Sequence, residues 1–218
     1  MTAENILFAI EIIGTVAFAI TGVITAVEKK FDIFGAIVLG TVTAVGGGIV
    51  RDLILGYTPP MAFRKSVYAI TAVITSLAVF VIAYFFGRRI KKHFNVYSQV
   101  INIFDSIGLS VFVVGGVNSA IACGFGENMF LSVFVAALTG VGGGVMRDIM
   151  AGRVPTILRK RVYALAAIIG GIIYYLLHYY EICSPVISVV VGAGSVLIIR
   201  ILATIFHWNL PTVNNLDE

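Results

Sequence analysis

The sequence predicts an all-helical polytopic membrane protein with seven transmembrane helices, in which six spans form a 3+3 inverted repeat and the seventh is an addition. Three observations predict this fold. Hydrophobic residues make up 59% of the chain, charged residues only 12%, and the mean hydropathy is +1.02, whereas a soluble domain carries roughly 25% charged residues. Apolar runs of membrane-spanning length follow one another along the chain. A glycine-rich motif also occurs twice.

The apolar runs are separated by short polar stretches. Each has about the 17–25 residues that a transmembrane helix needs. The runs cover residues 5–27, 33–50, 67–86, 99–122, 129–146, 162–180 and 186–207. We therefore expect one transmembrane domain over residues 1–207, followed by a short cytoplasmic tail at 208–218.

The basic residues predict the orientation in the membrane. Twelve of the fifteen Lys and Arg residues fall on one predicted side and three on the other, and cytoplasmic loops carry the excess of positive charge. The N-terminus is therefore expected outside and the C-terminus in the cytoplasm, in the cell (inner) membrane. The same distribution accounts for the pI of about 9.1 without nucleic acid. Membrane lipids, including anionic headgroups, are the expected partners.

An internal repeat covers most of the chain. The stretch GGGIVRDLILG at 46–56 returns as GGGVMRDIMAG at 142–152, and eight of the fourteen residues from 43 to 56 are identical at an offset of 96. ExxGxxxFxxxG at 11–22 corresponds to DxxGxxxFxxxG at 105–116, and RKxVYA at 64–69 to the same pattern at 159–164. Each repeat, about 5–86 and 99–180, therefore holds three spans. An odd number inverts the second copy, an arrangement typical of transport proteins.

The glycine triplets lie late in the second and fifth spans. Glycine allows a kink or break in a helix, and the freed backbone groups then need neighbouring helices or water in a cavity. Alternatively, the small residues only let two helices approach closely, and both interpretations can hold together. The predicted pore or kink residues are Gly46, Gly47, Gly48, Gly142, Gly143 and Gly144.

Charged residues flank the two triplets. Ionisable side chains within a membrane are costly, and they usually face a polar interior and pair with one another. The predicted pore charges are Glu11, Arg51, Asp52, Asp105, Arg147 and Asp148. The first three fall in one leaflet and the last three in the other, which predicts two charged vestibules with the pairs Glu11–Arg51 and Asp105–Arg147. Alternatively, each Arg-Asp only marks a helix end at the interface.

Uncharged polar groups on the same four spans could coordinate a partly dehydrated cation through oxygen. Hydroxyl groups in membrane helices also bond back to carbonyl groups of their own helix, which is the competing interpretation. The candidate ion-coordinating residues are Thr15, Thr21, Thr43, Ser110, Asn118 and Thr139.

Enzyme and metal motifs are missing from the sequence. There is no HExxH, no GxSxG and no phosphate-binding loop, and the three histidines are scattered, so we expect no catalytic site, no metal site and no cofactor. The two cysteines, Cys123 and Cys183, fall in predicted outside loops, where a disulfide is chemically possible. Two free thiols are the simpler interpretation.

The doubled GGGxxRD motif on a seven-span chain with a 3+3 repeat resembles prokaryotic members of the trimeric intracellular cation channel family. The resemblance covers residues 5 to about 207. It implies a homotrimer of potassium-permeable channels, with a pore in each protomer between spans one, two, four and five. Some bacterial relatives are called glycine transporters, so secondary transport of a small solute such as glycine is the alternative. A carrier needs a site with alternating access, whereas a channel needs a continuous gated path.

Overall fold

Long helices account for nearly all of the computed structural model, which describes residues 3–90, 94–159, 162–206 and 208. They are α1 (Ala3–Glu28), α2 (Ile33–Ile54), α3 (Val67–Ile90), α4 (Phe94–Ala120), α5 (Met129–Met150), α6 (Val162–Tyr179) and α7 (Pro185–Ile205). Each of the seven contains a segment long and apolar enough to cross a membrane. No strand occurs within the described ranges. The predicted all-helical fold with seven spans is confirmed.

Equivalent polar residues begin α2 and α5. The Asp32 carboxylate accepts a hydrogen bond from the Gly35 amide at 2.7 Å, and the Asn128 side-chain oxygen accepts one from the Leu131 amide at 2.9 Å. Each side chain satisfies a backbone donor that has no partner within the helix. The two caps stand 96 residues apart, at the same offset as the glycine triplets, so both repeats start this helix in the same way.

The same two helices also end alike. Gly56 and Gly152 follow them with φ of +71° and +64°, a left-handed conformation that glycine adopts without the strain of a Cβ. The helices extend to Ile54 and Met150, four residues past the predicted ends at 50 and 146. The apolar runs stop at the Arg-Asp pairs, but these pairs form part of the last helical turns. A four-residue helix follows each, Met61–Arg64 and Thr156–Arg159.

Two three-helix bundles form the molecule. Helices α1, α2 and α3 pack on one another, as do α4, α5 and α6, and the bundles meet along α2 with α5 and α1 with α4. Phe18 and Phe112, which are equivalent in the repeat, place their rings 5.3 Å apart, so the pseudo-two-fold axis passes between them. The predicted inverted repeat is confirmed. The added helix α7 packs mainly on α4 and α6 and only slightly on α1, so it covers the second bundle far more than the first.

Both glycine triplets lie inside uninterrupted helices. A Cβ at Gly47 would overlap the carbonyl oxygen of Thr139, and a Cβ at Gly143 would overlap that of Thr43, so the crossing of α2 and α5 is symmetric. The glycines thus permit close contact between the backbones, as the packing interpretation holds. A break in either helix is a wrong prediction, because α2 and α5 are each a single 22-residue helix. A kink at the triplets stays a prediction.

Parts of the sequence-based topology lie beyond the described chain. The predicted tail at 208–218 is outside it except for Trp208, and so are four basic residues that contribute to the charge asymmetry, namely Lys91, Lys92, Lys160 and Arg161. The side on which each terminus lies and the domain boundaries therefore stay predictions.

Candidate functional site

A cavity of about 520 Å³ opens between the helices of the first repeat and the second half of α4. Its wall comes from α1, α2, the segment between α2 and α3, the first turn of α3, α4 and the short helical segment Ile121–Phe125 that follows α4. The polar residues of the wall are Glu11, Thr15, Arg51, Asp52, Tyr57, Lys65, Tyr68, Asn118, Ser119 and Cys123. The cavity thus contains the first predicted vestibule, and its volume is sufficient for several water molecules.

Four ionisable residues of this wall form what we call the repeat-one cluster, namely Glu11, Arg51, Asp52 and Tyr68. The Tyr68 hydroxyl donates a hydrogen bond to the Glu11 carboxylate at 2.5 Å. The Arg51 Nε donates to Asp52 Oδ1 at 2.8 Å. Within the described residues, Glu11 and Arg51 form no ion pair, so the predicted pairing is wrong in this structure. The tyrosine hydroxyl takes the position beside Glu11 that the arginine was expected to occupy.

The equivalent group in the second repeat, Asp105 with Arg147, Asp148 and Tyr163, is the repeat-two cluster. The Arg147 Nη1 donates to Asp105 Oδ1 at 2.9 Å, and its Nε donates to Asp148 Oδ1 at 2.9 Å. The Thr21 hydroxyl on α1 accepts a further hydrogen bond from Nη1 at 3.0 Å. Only 2% of Arg147 is exposed. The predicted Asp105–Arg147 pair is therefore present, and it is buried.

Asp52 and Asp148 share a second role. Their Oδ2 atoms accept hydrogen bonds from the backbone amides of Met61 at 2.7 Å and of Thr156 at 2.8 Å. These amides start the short helices after α2 and α5, and the Thr156 hydroxyl adds a third donor at 2.9 Å. Each aspartate therefore holds the side chain of the arginine before it and the backbone at the start of the short helix that follows. This agrees with the interpretation that the Arg-Asp pairs mark helix ends.

The predicted ion-coordinating hydroxyls mostly bond to their own helices. The acceptors lie three or four residues earlier and the distances are between 2.5 and 2.9 Å, for Thr15, Thr21, Thr43, Ser110 and Thr139. Each oxygen still has lone pairs, but Thr43 and Thr139 are fully buried at the α2–α5 crossing. Thr15 and Asn118 line the cavity. The structure thus brings two of the six candidates to the vestibule wall.

Three residues in or beside these clusters were not predicted as site residues. Tyr68 and Tyr163 occur in the repeated RKxVYA pattern, so their common position in both copies was the available signal. Arg200 lies on α7, 3% exposed, with its guanidinium 4.6 Å from the centre of the Tyr163 ring. A lone arginine inside an apolar run is costly in lipid. This cost marks Arg200 as a candidate site residue, whereas the prediction of orientation uses it only as one of the twelve basic residues on the cytoplasmic side.

The cysteines and possible metal ligands add no further site within the described chain. Cys123 and Cys183 are both free thiols, and Cys123 lies on the cavity wall. No group of three or more His, Cys, Asp or Glu side chains in the described ranges has metal-site geometry.

Known proteins resemble the chain over almost its whole length. The profile of the family described as "Glycine transporter" matches residues 8–84 and 102–179, one match in each repeat. The inner membrane protein YadS of Escherichia coli K12, classed as UPF0126, is 37% identical over 213 residues, which are 98% of each chain. The UPF0126 membrane protein YvgT of Bacillus subtilis 168 is 33% identical over 93% of this chain and 94% of its own.

Solved structures share the fold. One, described as the structural basis for conductance through TRIC cation channels, superposes with a TM-score of 0.80 at 38% identity, covering 94% of this chain and 96% of its own. The trimeric intracellular cation channel orthologue from Rhodobacter sphaeroides gives 0.83 at 26% identity, covering 94% and 100%. These are channels and not enzymes, in agreement with the expectation that the chain is not an enzyme. The chain is thus a multi-pass membrane protein that belongs to the family of prokaryotic trimeric intracellular cation channels, which the profile describes as "Glycine transporter".

Proposed function

We propose that the protein is a channel for monovalent cations, with potassium as the main permeant ion and one pore in each protomer. The observation that carries the proposal is the cavity of about 520 Å³ with ionisable side chains in its wall, within a fold shared with TRIC cation channels. An intramembrane cavity that contains charged groups provides a polar route where a bare helix bundle would exclude ions.

The proposed path follows the internal symmetry. It starts in the cavity, where Glu11 and Asn118 offer oxygen atoms, and passes Phe112, which also lies in the cavity wall. It continues along the crossing of α2 with α5 and leaves between the residues of the repeat-two cluster. Arg147 and its partners are buried, so conduction requires these side chains to separate. No cofactor is needed for this function.

Assembly and orientation belong to the same proposal. The Rhodobacter sphaeroides orthologue is described as trimeric, which supports a homotrimer for this chain. Membrane lipids are the other expected partner. The basic residues support an N-terminus outside and a C-terminus in the cytoplasm, and in this orientation the cavity would open towards the outer side of the cell membrane.

The second candidate is a carrier for a small solute such as glycine, because the family profile is described as "Glycine transporter". A carrier would open the two clusters to opposite sides in turn and would never hold both open together. A channel opens a continuous path and passes ions at rates that single-molecule electrical recordings resolve. The two candidates therefore differ in a directly measurable property.

Reconstituted protein in a planar bilayer provides the test. We expect single-channel currents whose reversal potential, under potassium, sodium and chloride gradients, follows the cations and shows a preference for potassium. Cys123 in the cavity wall is a built-in probe, because a cationic methanethiosulfonate reagent that adds a positive charge there should reduce the current. The reagent should act only from the side on which the cavity opens.

The second native cysteine supplies the matched control. The block should persist in Cys183→Ser and disappear in Cys123→Ser, since Cys183 is not part of the cavity wall. Absence of currents together with saturable uptake of glycine into proteoliposomes would replace the channel by the carrier. Block from the side of the C-terminus would reverse the proposed orientation.

A further inference from the structure

The arginine of α7 is an unusual group for its place in the fold. Arg200 is 3% exposed, and within the described residues it forms no ion pair. Its Nε donates to the Ser106 hydroxyl at 3.3 Å, and its guanidinium lies 4.6 Å from the centre of the Tyr163 ring. A buried cation without a carboxylate partner is costly, so the contact with the tyrosine calls for an explanation.

The two equivalent tyrosines have different partners. In the repeat-one cluster, the Tyr68 hydroxyl donates to Glu11, and Arg51 bonds only to its neighbour Asp52. In the repeat-two cluster, Arg147 takes the carboxylate instead. Among the described residues, the Tyr163 hydroxyl and the Oδ2 atom of Asp105 are buried without any hydrogen-bond partner. No hydrogen bond of the required geometry therefore forms between this pair in repeat two, although the two side chains are near enough to each other to interact.

The Tyr163 hydroxyl and the Asp105 carboxylate border the same small space. The point that a Cβ of residue 144 would occupy lies 3.5 Å from Asp105 Oδ1, which is the oxygen bonded to Arg147, 3.5 Å from the Tyr163 hydroxyl and 3.6 Å from Arg147 Nη2. A buried carboxylate with one free oxygen and a buried free hydroxyl both gain by bonding to each other. The Tyr163 hydroxyl nevertheless forms no such bond, and the charged group in contact with its ring is the Arg200 guanidinium.

We propose that Arg200 is a positioning residue that keeps the Tyr163 hydroxyl out of hydrogen-bonding geometry with Asp105, and so leaves Asp105 to Arg147 and keeps the repeat-two cluster closed. When Arg200 leaves the ring, Tyr163 donates to Asp105 as Tyr68 donates to Glu11. Arg147 is then paired with Asp148 only, as Arg51 is paired with Asp52 only. The open arrangement of the second half is thus the one that the first half already has. The consequence for currents rests on the proposed channel function, but the exchange of hydrogen-bond partners does not.

The first repeat supplies the internal comparison for this inference. The two repeats carry equivalent groups at these positions, so the contacts of repeat one show an arrangement that the groups of repeat two can also form. Helix α7 has no counterpart in the repeat, and it packs mainly on helices of the second bundle. The one cation on this added helix therefore acts on one half only, which explains why equal motifs have unequal partners.

Cysteine accessibility tests the proposal on purified protein in detergent. In a background of Cys123→Ser and Cys183→Ser, Gly144→Cys reports on the repeat-two cluster and Gly48→Cys on the matched place in the cavity wall. We expect a cationic methanethiosulfonate reagent to modify residue 144 slowly and residue 48 quickly. Arg200→Gln should accelerate only the reaction at residue 144, on the order of tenfold, as the loss of one desolvated cation–π contact allows.

The tyrosine hydroxyl separates a positioning role from plain packing. Tyr163→Phe added to Arg200→Gln should abolish the acceleration, because phenylalanine cannot donate to Asp105, and Arg200→Lys should retain most of the slow rate. Acceleration that persists fully with Tyr163→Phe, or no acceleration at all, would overturn the proposal. In bilayers, Arg200→Gln should raise the open probability of the potassium currents. Adding Tyr163→Phe should remove this increase. If no variant conducts, the channel function fails while the labelling result still decides the role of Arg200.

Discussion

The two charged clusters come from one repeated motif, yet they differ in structure. In repeat one, Arg51 bonds to one carboxylate beside the cavity of about 520 Å³. In repeat two, Arg147 bonds to two carboxylates and a threonine, and it is 2% exposed against 7% for Arg51. The difference shows that a repeated sequence fixes which groups are near one another, while the surrounding helices decide which of them pair.

The crossing of α2 and α5 behaves in the opposite way. Gly47 lies against the backbone of Thr139, and Gly143 lies against that of Thr43, so each half makes the same contact. These residues lie at the pseudo-two-fold axis, where the two repeats pack directly against each other. The charged clusters lie away from the axis, where α7 packs on only one of them. Asymmetry is therefore expected at the clusters and symmetry at the crossing.

The largest expected effect is the loss of Arg147. Arg147→Ala leaves Asp105 and Asp148 as buried carboxylates without a cation, which costs about 3–5 kcal/mol. Arg51→Ala should cost less than Arg147→Ala, because it leaves one carboxylate without its cation instead of two, and that carboxylate, Asp52, borders the cavity and still accepts from the Met61 amide. Thermal melting of the purified protein measures both changes.

A double-mutant cycle sharpens this first prediction. Adding Asp105→Asn should recover part of the loss caused by Arg147→Ala, because one unpaired charge is removed. Adding Glu11→Gln to Arg51→Ala should give a simply additive result, since these two side chains do not pair in the structure. Equal losses for the two arginines would contradict the difference between the clusters.

A smaller effect is expected at the helix crossing, and there the halves should agree. Gly47→Ala and Gly143→Ala each put a Cβ against a backbone carbonyl oxygen, and such overpacking costs about 1–3 kcal/mol. Gly48→Ala is the control, because its Cβ would have only the Arg51 guanidinium nearby, at 3.7 Å. Melting temperatures should fall by similar amounts for the two test variants and stay near wild type for the control. A large difference between Gly47→Ala and Gly143→Ala would show that the crossing is not symmetric.

Much of the fold could be predicted from the sequence, because membrane spans and repeats depend on local composition. The apolar runs predicted every long helix, and the repeat predicted the inversion. The apolar runs end four residues before α2 and α5 do, since charged residues in a last turn reach the interface without ending the helix. The effect of the glycine triplets could not be decided, because the same residues permit a kink and a close contact.

The site was predictable only in part. The pairing of Asp105 with Arg147 followed from equal depth in the membrane, and the structure contains it. The corresponding pairing of Glu11 with Arg51 is not present, because the Tyr68 hydroxyl on α3 donates to Glu11 instead. The contact of Thr21 with Arg147 joins residues 126 positions apart, and that of Arg200 with Tyr163 depends on how α7 packs. Such contacts follow from tertiary packing, and no short sequence pattern encodes them.

The smallest expected effect compares the two tyrosines. Tyr68→Phe removes the hydroxyl that donates to Glu11, and since cavity water can replace part of that bond, the loss should be about 1 kcal/mol. Tyr163→Phe should be neutral or slightly stabilising, because the Tyr163 hydroxyl is buried without a hydrogen-bond partner and its removal ends an unfavourable burial. Thermal melting of the two single variants, each against wild type, measures the difference. If Tyr163→Phe proved the more destabilising change, its hydroxyl would already be bonded in the resting protein, and the two clusters would resemble each other more closely than their contacts indicate.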